Sequence, residues 1–278
     1  MKNKFINFDD NCNKYTRGKT AIIGSSIGMT GAVCLAAKAA SKSGCGLVCA
    51  VVPEELNDIF EIKLTEEMTL PLNSENGSFK GDDVEKLEEM LLKCKSIATG
   101  MGAGKSRGYR KVLKWLLREY NGKIILDADA LNIIAERPYY LRNGVVLTPH
   151  IGEFSRLCGK TAEEIEANRE ETAKEYAKEH SVILVLKGKN TIVTDGENVY
   201  INQTGNKGMA KGGSGDVLSG IIASLCAQGM ENYDASVCGV YLHGIAGDIA
   251  MGKYTDMAMT TTDIINHIPD AYKQILRG

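Results

Sequence analysis

Between Asn202 and Leu225 the chain reads NQTGNKGMAKGGSGDVLSGIIASL, with one acid, Asp216, behind a series of glycines. Glycine lets main chain approach a ligand and adopt positive φ without a Cβ penalty. The apolar run that follows has helical spacing. Its first amides and the positive end of its dipole would face whatever binds there, which suits a phosphate. A carboxylate in the same place repels an anion, so Asp216 points to chemistry on a proton or a metal. Phosphoryl transfer needs both parts. Amides of Ser214 and Gly215 would stabilise charge on the moving group, and the acid would take the nucleophile's proton. The plainer role for Asp216 is a helix cap; the density of glycines ahead of it favours the functional one.

Other stretches carry weaker signals. GMGAGKS (100–106) fails as a Walker P-loop, because Thr99 stands where the first glycine belongs. It reads as a tight strand-to-helix turn, or as main chain at Gly100 and Gly102 brought close to a ligand. In DADALN (127–132), Asp127 and Asp129 are either an acid pair or, for Asp129, the cap of the next helix. His150 closes VVLTPH and is either a surface or packed residue or a member of the site. LKGKNT (186–191) is a turn in which Lys187 or Lys189 could meet phosphates. The histidines at 150, 180, 243 and 267 lack the spacing of a zinc site.

The elements that must position these residues alternate. TAIIGSS (20–26) reads as a strand, Met29–Ser43 as a helix stopped by Gly44, and 46–52 as a strand, after which Pro53 can open a helix over 53–64. A weak strand at 68–72, a turn-rich stretch at 73–81 and an amphipathic helix over Asp82–Lys93 follow. Strands at 96–100, 123–131 and 145–150 alternate with a helix over Tyr109–Tyr120 and the helix start IGEFSRLCG. Residues 161–180 read as one long helix, with a capping box from Thr161 to Glu164. Strands at 182–188, 190–195 and 198–202 precede the glycines, the last two as a hairpin over Gly196. Helices over Asp234–Gly252 and Asp263–Leu276 end the chain.

This alternation predicts an α/β fold, a mostly parallel central sheet with helices on both faces. It reads as a single domain over 1–278, with 1–19 as an N-terminal arm. Such sheets bind ligands beyond the carboxyl ends of their strands. Ser25, Ser26, Gly100–Ser106, Asp127, Asp129, Thr148, His150 and Lys187–Thr191 would converge there with the glycine stretch.

Composition excludes some classes. A net charge of -2, from 33 basic and 35 acidic residues, gives no field for nucleic acid or an anionic membrane. The eight cysteines form no C-x-x-C pair and read as reduced thiols. The polar N-terminus lacks the apolar core of a signal peptide, and no run approaches the ~18 apolar residues of a membrane span. The expectation is a soluble, cytoplasmic protein.

Taken together the motifs are familiar. GGSGDVLSG (212–220) resembles the G-x-G-D signature of the ribokinase-like superfamily. LTPHIGEF (147–154), LDADAL (126–131), GMG (100–102), LKGKNT (186–191) and NKGMAKGGSGD (206–216) narrow the resemblance to the ADP-dependent NAD(P)H-hydrate dehydratases, without the epimerase domain fused in some relatives. The resemblance implies phosphorylation of the ring hydroxyl of (S)-NADHX or (S)-NADPHX by ADP, then elimination of phosphate to regenerate NADH or NADPH. It makes Asp216 the base, with Gly213, Ser214 and Gly215 as the anion hole. Lys187, Gly188, Lys189, Asn190, Thr191 and Gly215 would meet the nucleotide. Ala32, Gly102, His150 and Asp216 would meet the hydrated cofactor. Mg²⁺ is expected with the nucleotide, and no dedicated metal ligand stands out. The resemblance also implies self-association and a separate upstream epimerase. The alternative is a ribokinase-like kinase of hydroxymethylpyrimidine, hydroxyethylthiazole or a sugar. Ser214 departs from the threonine common in the family, and Lys207 from a small residue.

Overall fold

The computed structural model describes residues 1–137 and 141–277. Its first half contains β1 (Lys19–Ile23), α1 (Thr30–Lys42), β2 (Leu47–Pro53), α2 (Asn57–Lys63), β3 (Met68–Leu72), β4 (Ser74–Glu75), β5 (Ser78–Phe79), α3 (Val84–Leu91), β6 (Ser96–Thr99), α4 (Arg107–Glu119), β7 (Lys123–Leu126) and α5 (Ala128–Glu136). The second contains β8 (Val146–Leu147), α6 (Ile151–Cys158), α7 (Ala162–Ala167), α8 (Arg169–His180), β9 (Ile183–Leu186), β10 (Ile192–Thr194), β11 (Val199–Ile201), α9 (Ser214–Gln228), α10 (Asn232–Ala258) and α11 (Thr261–Arg277).

Among the described residues one large sheet runs in the order β11-β10-β9-β8-β7-β6-β1-β2-β3. From β3 to β9 every neighbour is parallel, and β10 pairs antiparallel with both β9 and β11. Successive strand residues fill opposite cores. Ile22, Ala98, Ile125 and Val185 pack with residues of α1, α9, α10 and α11. Ala21, Ile23, Ile97, Leu126 and Leu184 pack with residues of α4, α5, α6 and α8. Both faces are therefore covered, which is why these strands read as continuous apolar runs. Phe154 on α6 is fully buried and meets Tyr176 of α8 edge-on at 5.3 Å, anchoring α6 beneath the site.

The chain steps outward from β1 to β2 and β3, then returns across β1 to β6 and steps the other way. The reversal between β1 and β6 opens a crevice beyond their carboxyl ends. Ser25 N–H donates to the Met101 carbonyl at 2.9 Å, and Ser26 Oγ donates to the Gly102 carbonyl at 2.8 Å, so the two strand ends are tied together there.

The structure corrects several sequence expectations. Residues 161–180 are two helices, because Asn168 leaves helical geometry at φ -139°, ψ 48°. The break turns Arg169 inward, where its guanidinium bonds the carbonyls of Leu186, Lys187 and Lys189. Pro53 ends β2 rather than opening a helix, since a 3₁₀ turn over Glu54–Leu56 intervenes before α2. The turn-rich 73–81 stretch holds a small hairpin around Asn76 and Gly77, both at positive φ. Helix α10 continues past Gly252 and kinks at Thr255, at φ 70°. The N-terminal arm lies along the amino-end edge of the sheet: a Cβ on Gly46 would stand 1.9 Å from the Lys14 carbonyl.

Candidate active site

Helix α9 begins where the sequence places it. Gly213 is its N-cap at φ 89°, a left-handed conformation that a side chain would strain, and a Cβ there would stand 2.5 Å from Leu35 Cδ1. Ser214 N–H reaches the Lys211 carbonyl at 3.3 Å. The N–H groups of Gly213 and Gly215 have no partner among the described residues, so they can receive an anion. The loop ahead is pinned: Lys211 Nζ donates to the carbonyls of Met257 and Met259, and Thr261 Oγ1 donates to Gly212.

Beneath the first turn of α9 lies an ammonium. Lys187, at the end of β9, donates from Nζ to Asp127 Oδ1 at 2.8 Å, and Glu153 Oε2 stands 3.9 Å away. A Cβ on Gly215 would be 3.0 Å from that Nζ, so glycine is what lets the helix sit over the lysine. Asp127 is 1% exposed and also accepts from Ser219 Oγ, one turn along α9 from Asp216, at 2.7 Å. Asp127, not Asp129, caps α5, accepting from Ala128 N–H at 2.9 Å. Asp129 instead receives Gly104 N–H at 2.8 Å and shapes the 100–106 loop.

Three carboxyls, those of Asp127, Asp216 and Glu153, surround the one Lys187 ammonium. Burial works to raise the Asp127 pKa, but Lys187 and the hydroxyls of Ser219 and Thr148 hold it below the ordinary value. Burial works to lower the Lys187 pKa, and Asp127, Glu153 and Asp216 hold it above the ordinary value. Asp216 is left as the odd carboxyl. Burial, then repulsion from Asp127, push it up to about 7, with Lys187 opposing and Glu153 adding. The helix dipole favours its anion by only ~0.3–1 kcal/mol, less than these effects together. No described residue donates a hydrogen bond to the Asp216 carboxyl. An acid titrating near neutrality with a free face is what a general base requires.

His150 caps α6 through a capping box: its Nδ1 accepts from Gly152 N–H at 3.0 Å and Glu153 N–H at 3.3 Å, while Glu153 Oε2 accepts from His150 N–H at 2.8 Å. An accepting Nδ1 puts the neutral ring's proton on Nε2, on a half-exposed edge. Gly102 and Ala32 come together, since a Cβ on Gly102 would stand 3.4 Å from Ala32 Cβ. Gly188, at φ 147°, lies against the Arg169 guanidinium; Asn190 has φ 56°, and Thr191 Oγ1 donates to Gly188 at 2.9 Å. Lys189 is exposed, with its carbonyl held by Arg169. The structure thus brings Gly213–Asp216 and Lys187 together, pairs Gly102 with Ala32, and joins His150 to Lys187 by a parallel bridge. Lys189–Thr191 continue from Gly188 as a turn closed by Thr191 Oγ1 and held by Arg169.

Sequence reasoning gave no role to Glu153, Ser219, Arg169 or His243. Glu153 had a signal, the H-x-x-E spacing of a capping box. Ser219 had another, lying one turn after Asp216. His243, buried on α10 with Nε2 3.4 Å from Ser214 Oγ, had none. Burial, then the nearby Lys187 charge, hold its pKa down to about 4. Among the described residues no three acids, histidines or cysteines form a metal cage. A cavity of about 670 Å³ lies at the opposite, amino-end edge, lined by Lys95, Lys123 and Arg142 among others, away from these acids.

The sheet and its helices have the ribokinase-like fold. Similar proteins are consistent in kind. A bifunctional NAD(P)H-hydrate repair enzyme of Moorella thermoacetica is 42% identical over 258 residues, which are 91% of this chain and 48% of that protein. The chain spans about half the length of the bifunctional relatives it matches. An ADP-dependent (S)-NAD(P)H-hydrate dehydratase of Neisseria meningitidis is 36% identical over 247 residues, 86% of this chain and 79% of that one. The crystal structure of an ADP/ATP-dependent NAD(P)H-hydrate dehydratase from Bacillus subtilis, grown with ATP and Mg²⁺, superposes with a TM-score of 0.84 at 27% identity, covering 99% of this chain and 95% of that one. The family described as NAD(P)H-hydrate dehydratase matches residues 20–270, from the first strand of the sheet into its last helix, and the chain belongs to that family.

Proposed function

We propose that the chain repairs hydrated nicotinamide cofactors, dehydrating the S epimer of NADHX or NADPHX at the expense of ADP. The observation that carries this reading is Asp216. Its carboxyl is held near neutral pKa by burial and by Asp127, in the first turn of a helix whose amides at Gly213 and Gly215 are free for an anion.

In this reading Asp216 takes the proton from the ring hydroxyl. The hydroxyl oxygen bonds to the terminal phosphorus of ADP, and the bond from that phosphorus to the AMP oxygen breaks. Charge on the transferring group is met by the amides at the start of α9. Phosphate then leaves the ring carbon as the neighbouring C–H proton is lost and the ring double bond is restored. The products are AMP, phosphate and NADH or NADPH. Lys187 is engaged by carboxylates, so its part is to hold Asp127 and to moderate the charge at Asp216. The turn Gly188–Thr191 would lie along the nucleotide, and Ala32, Gly102 and His150 along the hydrated cofactor.

The donor set does not offer Mg²⁺ a protein cage, because Asp127 and Glu153 are taken by Lys187, Ser219 and the His150 N–H. Mg²⁺ in this reading arrives on nucleotide phosphates, as is usual for this cation, and no step here depends on it. An activity that interconverts the R and S epimers would act upstream. The eight cysteines are all free, in keeping with a reducing cytoplasm. Self-association is part of the same reading.

The test is spectroscopic. Purified protein with hydrated NADH and ADP should restore the absorbance of reduced nicotinamide and release AMP and phosphate in equal amounts. Absence of that signal, with phosphorylation of a pyrimidine or thiazole alcohol instead, would refute it.

A further inference from the structure

A groove of about 550 Å³, lined by Lys105, Asn132, Ala135, Glu136 and Arg156, opens beside the proposed substrate residues. Its volume is within the range of small-molecule sites. It begins where the site leaves off. Lys105 follows Gly102 and Gly104 in one loop, and Arg156 follows His150 along α6. A Cβ on Gly152 would stand 3.1 Å from His150 Cε1 and 4.0 Å from Arg156 Nη1, so imidazole and guanidinium flank one point. Along α5, Asn132 and Glu136 lie about 7 and 14 Å of helical rise beyond Asp127.

The groove is cationic. Arg156 is exposed, is oriented by a bond from Nε to Asn132 Oδ1 at 3.0 Å, and has no carboxylate partner among the described residues. Lys105 and Arg110 share a single acid, Glu136, at 2.6 and 2.5 Å. Two lining cations, Lys105 and Arg156, face one lining carboxylate that Arg110 also engages, which leaves the groove with an excess of positive charge. An arginine fixed by its Nε still presents its Nη groups as a fork that suits paired phosphate oxygens.

We propose that this groove holds the pyrophosphate–adenosine half of the hydrated dinucleotide, with Arg156 on the pyrophosphate. The inference rests on the cofactor-repair reading above. A ring presented to Asp216 beside Gly102 and His150 leaves the rest of the dinucleotide next to the loop that follows Gly102 and the helix that follows His150, and those two segments supply Lys105 and Arg156 to the groove.

The test compares two substrates, hydrated NADH and the hydrated reduced nicotinamide riboside, which keeps the ring and ribose but has no phosphate. The readout is the ratio of their kcat/KM values. Arg156→Ala should lower that ratio by roughly tenfold or more, through KM for the dinucleotide. Glu136→Gln removes the one acid among the groove's described lining residues and should raise the ratio, the opposite of what mere damage to α5 would do. An unchanged ratio in Arg156→Ala, whatever the absolute rates, overturns the proposal, as does a fall in Glu136→Gln. Should the unaltered protein restore reduced nicotinamide from neither substrate, the cofactor-repair reading fails and takes this one with it.

Discussion

Lys187 Nζ lies 2.8 Å from Asp127 Oδ1, joining the end of β9 to the end of β7 across β8, beneath the helix that carries Asp216. Asp127 is buried and Lys187 is only 18% exposed, so each depends on the other. Lys187→Met leaves a buried carboxylate without its cation and should cost about 3–5 kcal/mol in chemical denaturation. The double variant Lys187→Met/Asp127→Leu should recover part of that loss, because it removes the stranded charge. Additive losses in the double variant would show that the pair is not coupled.

The same pair sets the pH profile. Asp216 must be ionised to act as a base, so kcat/KM should rise with pH and level off above about 7. Asp127→Asn removes the stronger of the two repelling charges and frees Lys187 to favour the Asp216 anion. Both effects lower the Asp216 pKa. The rising limb should move to lower pH by on the order of 1 unit, even though the plateau rate falls. A limb that stays in place would assign it to another group.

Asp216→Asn should abolish most turnover, by about 10²–10⁴-fold, while nucleotide binding survives. The variant should also be more stable than the native chain. The folded pKa of Asp216 is raised from 3.8 to about 7. Its stabilising protonated form is fully present below the unfolded pKa and is lost as pH rises through the folded one. Asparagine mimics that neutral form at every pH. The stability gain should be absent below about pH 4, grow between the two pKa values, and hold at roughly 1–3 kcal/mol above them. Thermal melts at pH 4 and pH 8 measure it; equal gains at both would exclude a charge effect.

The fold was legible where one signal spoke alone. Apolar runs flanked by glycine located the parallel strands, and the glycines before Asp216 located the start of α9. Legibility failed where a residue's role depends on a distant partner. DADALN offers two acids, and local capping rules favour Asp129. The structure has Asp127 both capping α5 and pairing with Lys187, sixty positions later. Periodicity ran smoothly through 161–180, because a single non-helical residue leaves the apolar spacing almost intact. The break at Asn168 lets Arg169 reach a carbonyl-rich turn that lies far along the chain. His243 was invisible for the same reason: a buried histidine looks like any other until Ser214 is seen beside it.

Arg169 yields the last prediction. Its Nη1 donates to the Lys189 carbonyl at 3.0 Å, and its Nη2 to those of Leu186 at 3.3 Å and Lys187 at 3.0 Å. The guanidinium thereby fixes the backbone of the turn proposed to lie along the nucleotide, without pointing into the acid cluster. Arg169→Ala should raise KM for ADP by roughly three- to tenfold, the worth of about one ordinary hydrogen bond, with a smaller change in kcat. Arg169→Lys should not restore it, because one ammonium cannot reproduce a planar fork across three carbonyls. Steady-state kinetics with the nucleotide varied decide the matter. A fall in kcat at constant KM would place Arg169 in the chemistry of Asp216 rather than in the shape of the nucleotide turn.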